Sequence, residues 1–131
     1  MNFIDWDESY SVGIDLIDKQ HQKLFDIINN YHNESSSTEE SLQKLIAYID
    51  FHFRTEEDYF HKFDYEKTVE HTAQHFHYKD EINELYQKYH YRDNDQKIRE
   101  ELEGFIKDWI VHHIKISDKE YTKCFLEHGM Q

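Results

Sequence analysis

Apolar residues recur at helical intervals in four successive stripes along the chain. Ile17, His21, Leu24, Phe25 and Ile28 form the first, and Leu42, Leu45, Ile46, Ile49, His52, Glu56, Tyr59, Phe60 and Phe63 the second. The third runs through His71, His75, Tyr78, Ile82, Leu85, Tyr86 and Tyr89, and the fourth through Ile98, Leu102, Phe105, Ile106, Trp109 and His113. Steps of three and four place each set on one face of an α-helix. The breaks between stripes are short and polar: Asn33 to Ser37, Asp64 to Lys67, and Arg92 to Asn94. Connections of that length make neighbouring helices antiparallel. With no proline and only three glycines, little in the chain interrupts a long helix.

The pattern therefore predicts an all-α fold: an antiparallel up-down four-helix bundle with an N-terminal arm and a short C-terminal helix. Helices are expected over 17–33, 38–63, 67–90, 95–115 and 118–126, within one domain spanning 1–131. The arm, 1–12, carries Phe3, Ile4, Trp6 and Tyr10 and is expected to lie across the bundle. Ser37 with Glu40, and Ser117 with Glu120, have the spacing of a capping box. The second pair predicts a break after the fourth stripe and a new helix start at Asp118.

Polar residues sit on these greasy stripes, where a solvated side chain does not belong. His52 and Glu56 are four apart, as are His71 and His75, so each pair points two ligand groups to one side of its helix. His113 and Asp118 are five apart, which a continuous helix would separate by about 140° at ~100° per residue. The predicted break at Ser117 removes that difficulty by letting Asp118 turn back toward the bundle. His21 joins from the first stripe, and Glu57, beside Glu56, is expected to face away. Periodicity alone leaves His112 and His113 open as alternatives.

Five imidazoles and two carboxylates exceed what one ion with an open position needs and suit two ions, with Glu56 and Asp118 as bridges. The set is richer in histidine than the carboxylate-rich di-iron bundles built on Glu-x-x-His. That favours a mild redox range over high-valent oxygen activation. Zinc also takes histidine and carboxylate and stands as an alternative.

Charge narrows the partners. The chain has 28 acidic residues against 15 Lys and Arg, a formal net charge of -13. Such a surface repels nucleic-acid phosphates and anionic headgroups, so nucleic acid and bare membrane are not expected as partners. A single cysteine, Cys124, excludes an internal disulfide. The N-terminal stretch has no basic n-region followed by an apolar run, and no window approaches the ~20 apolar residues of a membrane span. A cytoplasmic monomer is the expectation.

The motifs resemble those of the hemerythrin family, specifically its single-domain bacterial members. The resemblance is carried by Trp6, Val12-Gly13-Ile14, Ile17 to Phe25 around His21, His52-Phe53-Arg54-Thr55-Glu56-Glu57, His71-Thr72-Ala73-Gln74-His75, and Trp109 to Ile114 with Asp118. It implies one iron held by His71, His75 and His113, a second by His21 and His52, and Glu56 and Asp118 bridging the two. It also selects His113 over His112. One departure is Glu66, where family members often carry a proline after the tyrosine matching Tyr65.

The activity implied by the resemblance is reversible dioxygen binding at two oxo- or hydroxo-bridged non-haem irons. It would serve transport, storage or delivery to an oxygen-consuming enzyme or membrane system. Release of intact oxygen calls for a dry pocket, and Leu24, Phe25, Ile28, Phe60, Trp109 and Ile116 are available to line it. Tyr65 and Tyr121 are candidates to bring a hydroxyl near the site. The competing readings are a di-iron redox enzyme acting on peroxide, nitric oxide or ferrous iron, an oxygen- or redox-sensing interaction module, and a structural zinc bundle. His32, His61, His77, His90, His112 and His128 are read as surface or supporting residues.

Overall fold

A computed structural model describes residues 3–33, 38–91 and 95–131. Four main helices follow one another: α1 (Asp15–His32), α2 (Thr38–Phe63), α3 (Thr68–Tyr91) and α4 (Asp95–Trp109). α4 runs on without interruption into a π-helical segment, Ile110–Ser117, then a 3₁₀ turn, Asp118–Tyr121, then the short α5 (Thr122–Glu127). The architecture is the predicted all-helical bundle. Ser37 of the first capping pair lies outside the described residues, as do the rest of the first break from 34 on, the third break, Arg92 to Asn94, and the side chain of Tyr89.

The apolar stripes close into two buried clusters. The larger joins Leu24, Phe25 and Ile28 of α1 to Leu42, Leu45, Ile49 and Phe53 of α2, Tyr78, Ile82 and Leu85 of α3, and Leu102, Ile106 and Trp109 of α4. The smaller joins Val12, Ile14 and Ile17 to Phe60, Tyr65, Tyr121 and Phe125. Burial of these side chains is the main force holding the bundle together.

The arm is tied down as expected. Ile4 and Asn29 exchange two hydrogen bonds, the Ile4 N–H donating to Asn29 Oδ1 at 3.0 Å and Asn29 Nδ2 donating to the Ile4 carbonyl at 2.8 Å. Trp6 and Tyr10 pack on the ring of Phe25, with centroids 5.6 and 5.0 Å away. After α2 the chain turns through Asp64 at φ 52, and the Tyr65 N–H donates to the Phe60 carbonyl at 3.0 Å. That bond seats Tyr65 in the smaller cluster, with Glu66 exposed in the turn. Among the described residues no helix is long and apolar enough to cross a membrane.

Two details of the fourth stripe differ from expectation. The chain does not break at Ser117, which keeps helical dihedrals of φ -66 and ψ -42 and makes no capping bond. Its hydroxyl donates instead to the His112 carbonyl at 3.3 Å. Instead of a break, the helix widens: the Asp118 N–H donates to the His113 carbonyl, a step of five residues, which is π-helical bonding. The same widening changes which isoleucine points inward. Ile114 is fully buried, whereas Ile116, expected to line a pocket, is 56% exposed.

Candidate metal centre

The two clusters meet at a patch of buried polar side chains. His21, His52, Glu56, His71, His75, His113 and Asp118 are all buried, and they fall into two overlapping groups. One holds Glu56, His71, His75, His113 and Asp118, the other His21, His52, Glu56 and Asp118, with the ligand atoms of each group within 4.8 Å of one another. Every residue predicted for the site is therefore brought together, and the two carboxylates are the members common to both groups.

α-Helical spacing places most of them. His52 and Glu56 lie one turn apart on α2, their Nε2 and Oε1 atoms 3.2 Å apart, and the same oxygen is 3.2 Å from His75 Nε2 on α3. Asp118 spans the groups with separate oxygens. Its Oδ1 is 3.0 Å from both His71 and His113 Nε2, and its Oδ2 is 3.1 Å from His21 Nε2. The π-helical turn makes this possible, because bonding residue 118 to residue 113 brings the two side chains to the same side.

The outward ring nitrogens define the chemistry at the centre. His52 Nδ1 lies 2.6 Å from Gln20 Oε1, His75 Nδ1 2.8 Å from Glu57 Oε2, and His113 Nδ1 2.9 Å from Gln74 Oε1. Each partner atom is an acceptor, so each Nδ1 carries the hydrogen and donates it. The Nε2 atoms then point inward, toward one another and toward carboxylate oxygens. Nε2 of His71, His75 and His113 and all four oxygens of Glu56 and Asp118 are buried without a hydrogen-bond partner. Electron pairs converging in a dry interior are costly unless cations lie among them, and this donor set fits two metal ions.

Electrostatics of the metal-free chain point the same way. Burial lowers the affinity of His52 and His113 for a proton. Burial also opposes protonation of His75, but the carboxylates of Glu56 and Glu57 on either side of its ring outweigh it and carry its pKa up to about 9. Burial favours protonation of both carboxylates, as does the charge of Asp118 for Glu56, yet the surrounding imidazoles hold both Glu56 and Asp118 below the usual carboxylate range.

Without metal, His75 thus keeps a proton where a cation would sit. Metal binding needs that nitrogen bare, so loading at pH 8 should expel the proton and acidify a weakly buffered solution. Apparent metal affinity should rise with pH up to about 9 and level off above it. Metal uptake without measurable acid release would show that His75 is not displaced.

Aromatic rings wall the centre. Phe53 stacks flat on His75 at a centroid distance of 3.8 Å and an interplanar angle of 3°. Phe60 meets His71 edge-on at 4.8 Å, and Trp109 lies parallel to His113 at 6.1 Å. Of the two candidate tyrosines, Tyr121 is the one at the centre. It is fully buried, 5.7 Å from His71 by ring centroid, and burial together with Glu56 and Asp118 raises its pKa well above the usual phenol range.

Four supporting residues were not legible as such. Glu57 does not face away: one of its carboxylate oxygens holds His75. Gln20 and Gln74 also hold rings, and each directly precedes a site histidine, a repeated Gln-His signal visible in the chain. Phe53 adjoins His52 in sequence but serves His75. The other histidines stay outside the centre. His32 pairs with Glu103 at 2.9 Å, His77 with Glu81 at 2.8 Å and His112 with Asp108 at 3.4 Å, while His61 and His128 are exposed. The side chain of His90 lies outside the described residues.

Comparison with known proteins agrees with this geometry. The family described as the hemerythrin HHE cation binding domain matches residues 12–124. A bacteriohemerythrin of Clostridium acetobutylicum is 32% identical over 125 residues, covering 88% of this chain and 96% of that one. A hemerythrin-like protein of Naegleria gruberi is 33% identical over 117 residues, covering 89% of each. A crystal structure of wild-type hemerythrin superposes with a TM-score of 0.82 at 26% identity, covering 93% of this chain and 97% of that one. The chain belongs to the hemerythrin family.

Proposed function

We propose that this hemerythrin-family chain binds dioxygen reversibly at two non-haem irons, and that it carries, stores or delivers oxygen without turning over a substrate. The observation that supports this most is the unequal division of buried donors around two shared carboxylates. One group offers five protein ligands and the other four. Two irons held by these groups would be unequally supplied, and the one served by His21 and His52 would have one protein donor fewer, leaving room for dioxygen. A pair of ferrous ions would supply the two electrons that reversible oxygen binding requires.

The chain's own residues supply the remaining requirements. Glu56 and Asp118 hold the two positions at a short separation and offset two units of positive charge. Gln20 fixes His52 with its lone pair inward on the four-ligand side. Leu24, one turn beyond His21, is fully buried with Phe53, Trp109 and Ile114 in the larger cluster, so the interior beside the site is dry. Five donors in one group also exceed the four of a structural zinc site.

The cysteine is free, and the acidic surface disfavours nucleic acid and bare membrane. These features are compatible with a monomer working in the cytoplasm, and the recipient we propose is an oxygen-consuming enzyme or membrane system. The test is reconstitution with ferrous iron under argon. Metal analysis should give two irons per chain, followed by cycles of oxygen and argon with the visible spectrum recorded.

A further inference from the structure

The three outward hydrogen bonds that hold the site histidines are chemically unequal. Gln20 on His52 and Gln74 on His113 are neutral amides, whereas Glu57 on His75 is a carboxylate. Nδ1 of His21, by contrast, is buried with no hydrogen-bond partner. On the outward side a negative charge is therefore built against the three-histidine group, while the Nδ1 atoms of His21 and His52 face none. Glu57 reaches it from α2 across the contact with α3, with its side chain 28% exposed and His75 at 1%.

We propose that Glu57 is a positioning residue that makes the three-histidine position the stronger electron donor of the two. The inference rests on the reading of the seven buried residues as ligands to two metal ions. Phe53, flat against His75 at 3.8 Å, fixes the plane of the ring. Glu57 fixes what the plane leaves free, namely which nitrogen carries the hydrogen. A carboxylate accepting from Nδ1 pushes electron density onto Nε2, so the ion at that position is held more tightly and its higher oxidation state is favoured. The amide partners of His52 and His113 orient their rings with no such charge. The two positions thus differ in donor strength as well as in ligand number.

Cobalt(II) tests this independently of any oxygen chemistry. Whole protein loaded with cobalt is titrated with a chelator, for the wild type, Glu57→Ala and Glu57→Gln. In Glu57→Ala the affinity of one position should fall by about 10–100-fold while the other is unchanged. Glu57→Gln should recover most of that loss, because its amide oxygen still accepts from Nδ1. In the iron-loaded Glu57→Gln protein, the reduction potential should nevertheless rise above the wild-type value, since the charge is gone.

Chelator curves identical in all three proteins would overturn the proposal. Equal weakening of both positions in Glu57→Ala would also overturn it, because that outcome marks a general structural role. An unchanged potential in Glu57→Gln would overturn the charge effect. Wild-type protein that took up no cobalt would overturn the ligand reading and this inference together. Failure of oxygen to bind reversibly would leave the cobalt result standing.

Discussion

Replacing Asp118 with alanine is expected to empty both metal positions at once. Its two oxygens face different groups, Oδ2 toward His21 and Oδ1 toward His71 and His113, so one truncation removes a ligand from each side. Metal binding stabilises the fold by mass action, about 4 kcal/mol when free metal exceeds Kd a thousandfold, and that increment should be absent from the variant. Ser117→Ala is the informative neighbour. Since the Ser117 hydroxyl caps no helix, this change should keep two metals and cost well below the ~1 kcal/mol typical of a lost cap. Metal analysis and chemical denaturation with and without metal check both. A variant at Asp118 that retains one full equivalent of metal would show that it serves one position only.

Phe53→Ala should destabilise the fold strongly. Phe53 is fully buried, stacks on His75 and meets Trp109 at 5.9 Å, so its loss opens a cavity where the larger cluster adjoins the metal centre. The cost should be about 3–5 kcal/mol, read by denaturation of the metal-free protein so that metal linkage does not contribute. Phe53→Leu refills part of the volume and should cost less. With His75 no longer held in plane and water admitted beside it, the iron-loaded alanine variant should also oxidise irreversibly faster than the wild type. A loss below 1 kcal/mol with unchanged oxidation would mean that the neighbouring rings collapse into the space.

How far the chain could be read follows from where α-helical regularity holds. His52 with Glu56 and His71 with His75 were legible because α2 and α3 keep the ordinary period, and His21 because it lies on the apolar stripe of α1. The regular period fails after Trp109. Extended past that point, it brings Ile116 inward and needs a break before Asp118, whereas the π-helical segment buries Ile114 and brings Asp118 round without any break. No local residue signals such a widening; it is stabilised by the contacts that Asp118 and Tyr121 make at the centre.

Glu57 was misread for a different reason. A helical wheel relates a side chain to its own helix, and Glu57 sits at the flank of the α2 stripe, half-buried. The direction in which it points is occupied by α3, and the His75 ring nitrogen waits there. The same holds for Gln20 and Gln74, whose partners lie 32 and 39 residues away in sequence. Ligands were visible one helix at a time, but the groups that orient them became visible only once the helices were packed.

The visible spectrum of reduced, iron-loaded protein through repeated cycles of oxygen and argon tests oxygen carriage most directly. A nearly colourless solution should gain an absorption band in oxygen and lose it under argon with no added reductant, returning to the starting spectrum over several cycles. The smaller set of donors on the His21–His52 side and the dry cluster beside it support that expected recovery. A band that decays to a spectrum reversed only by added reductant would contradict oxygen carriage and identify the centre as one that consumes what it binds.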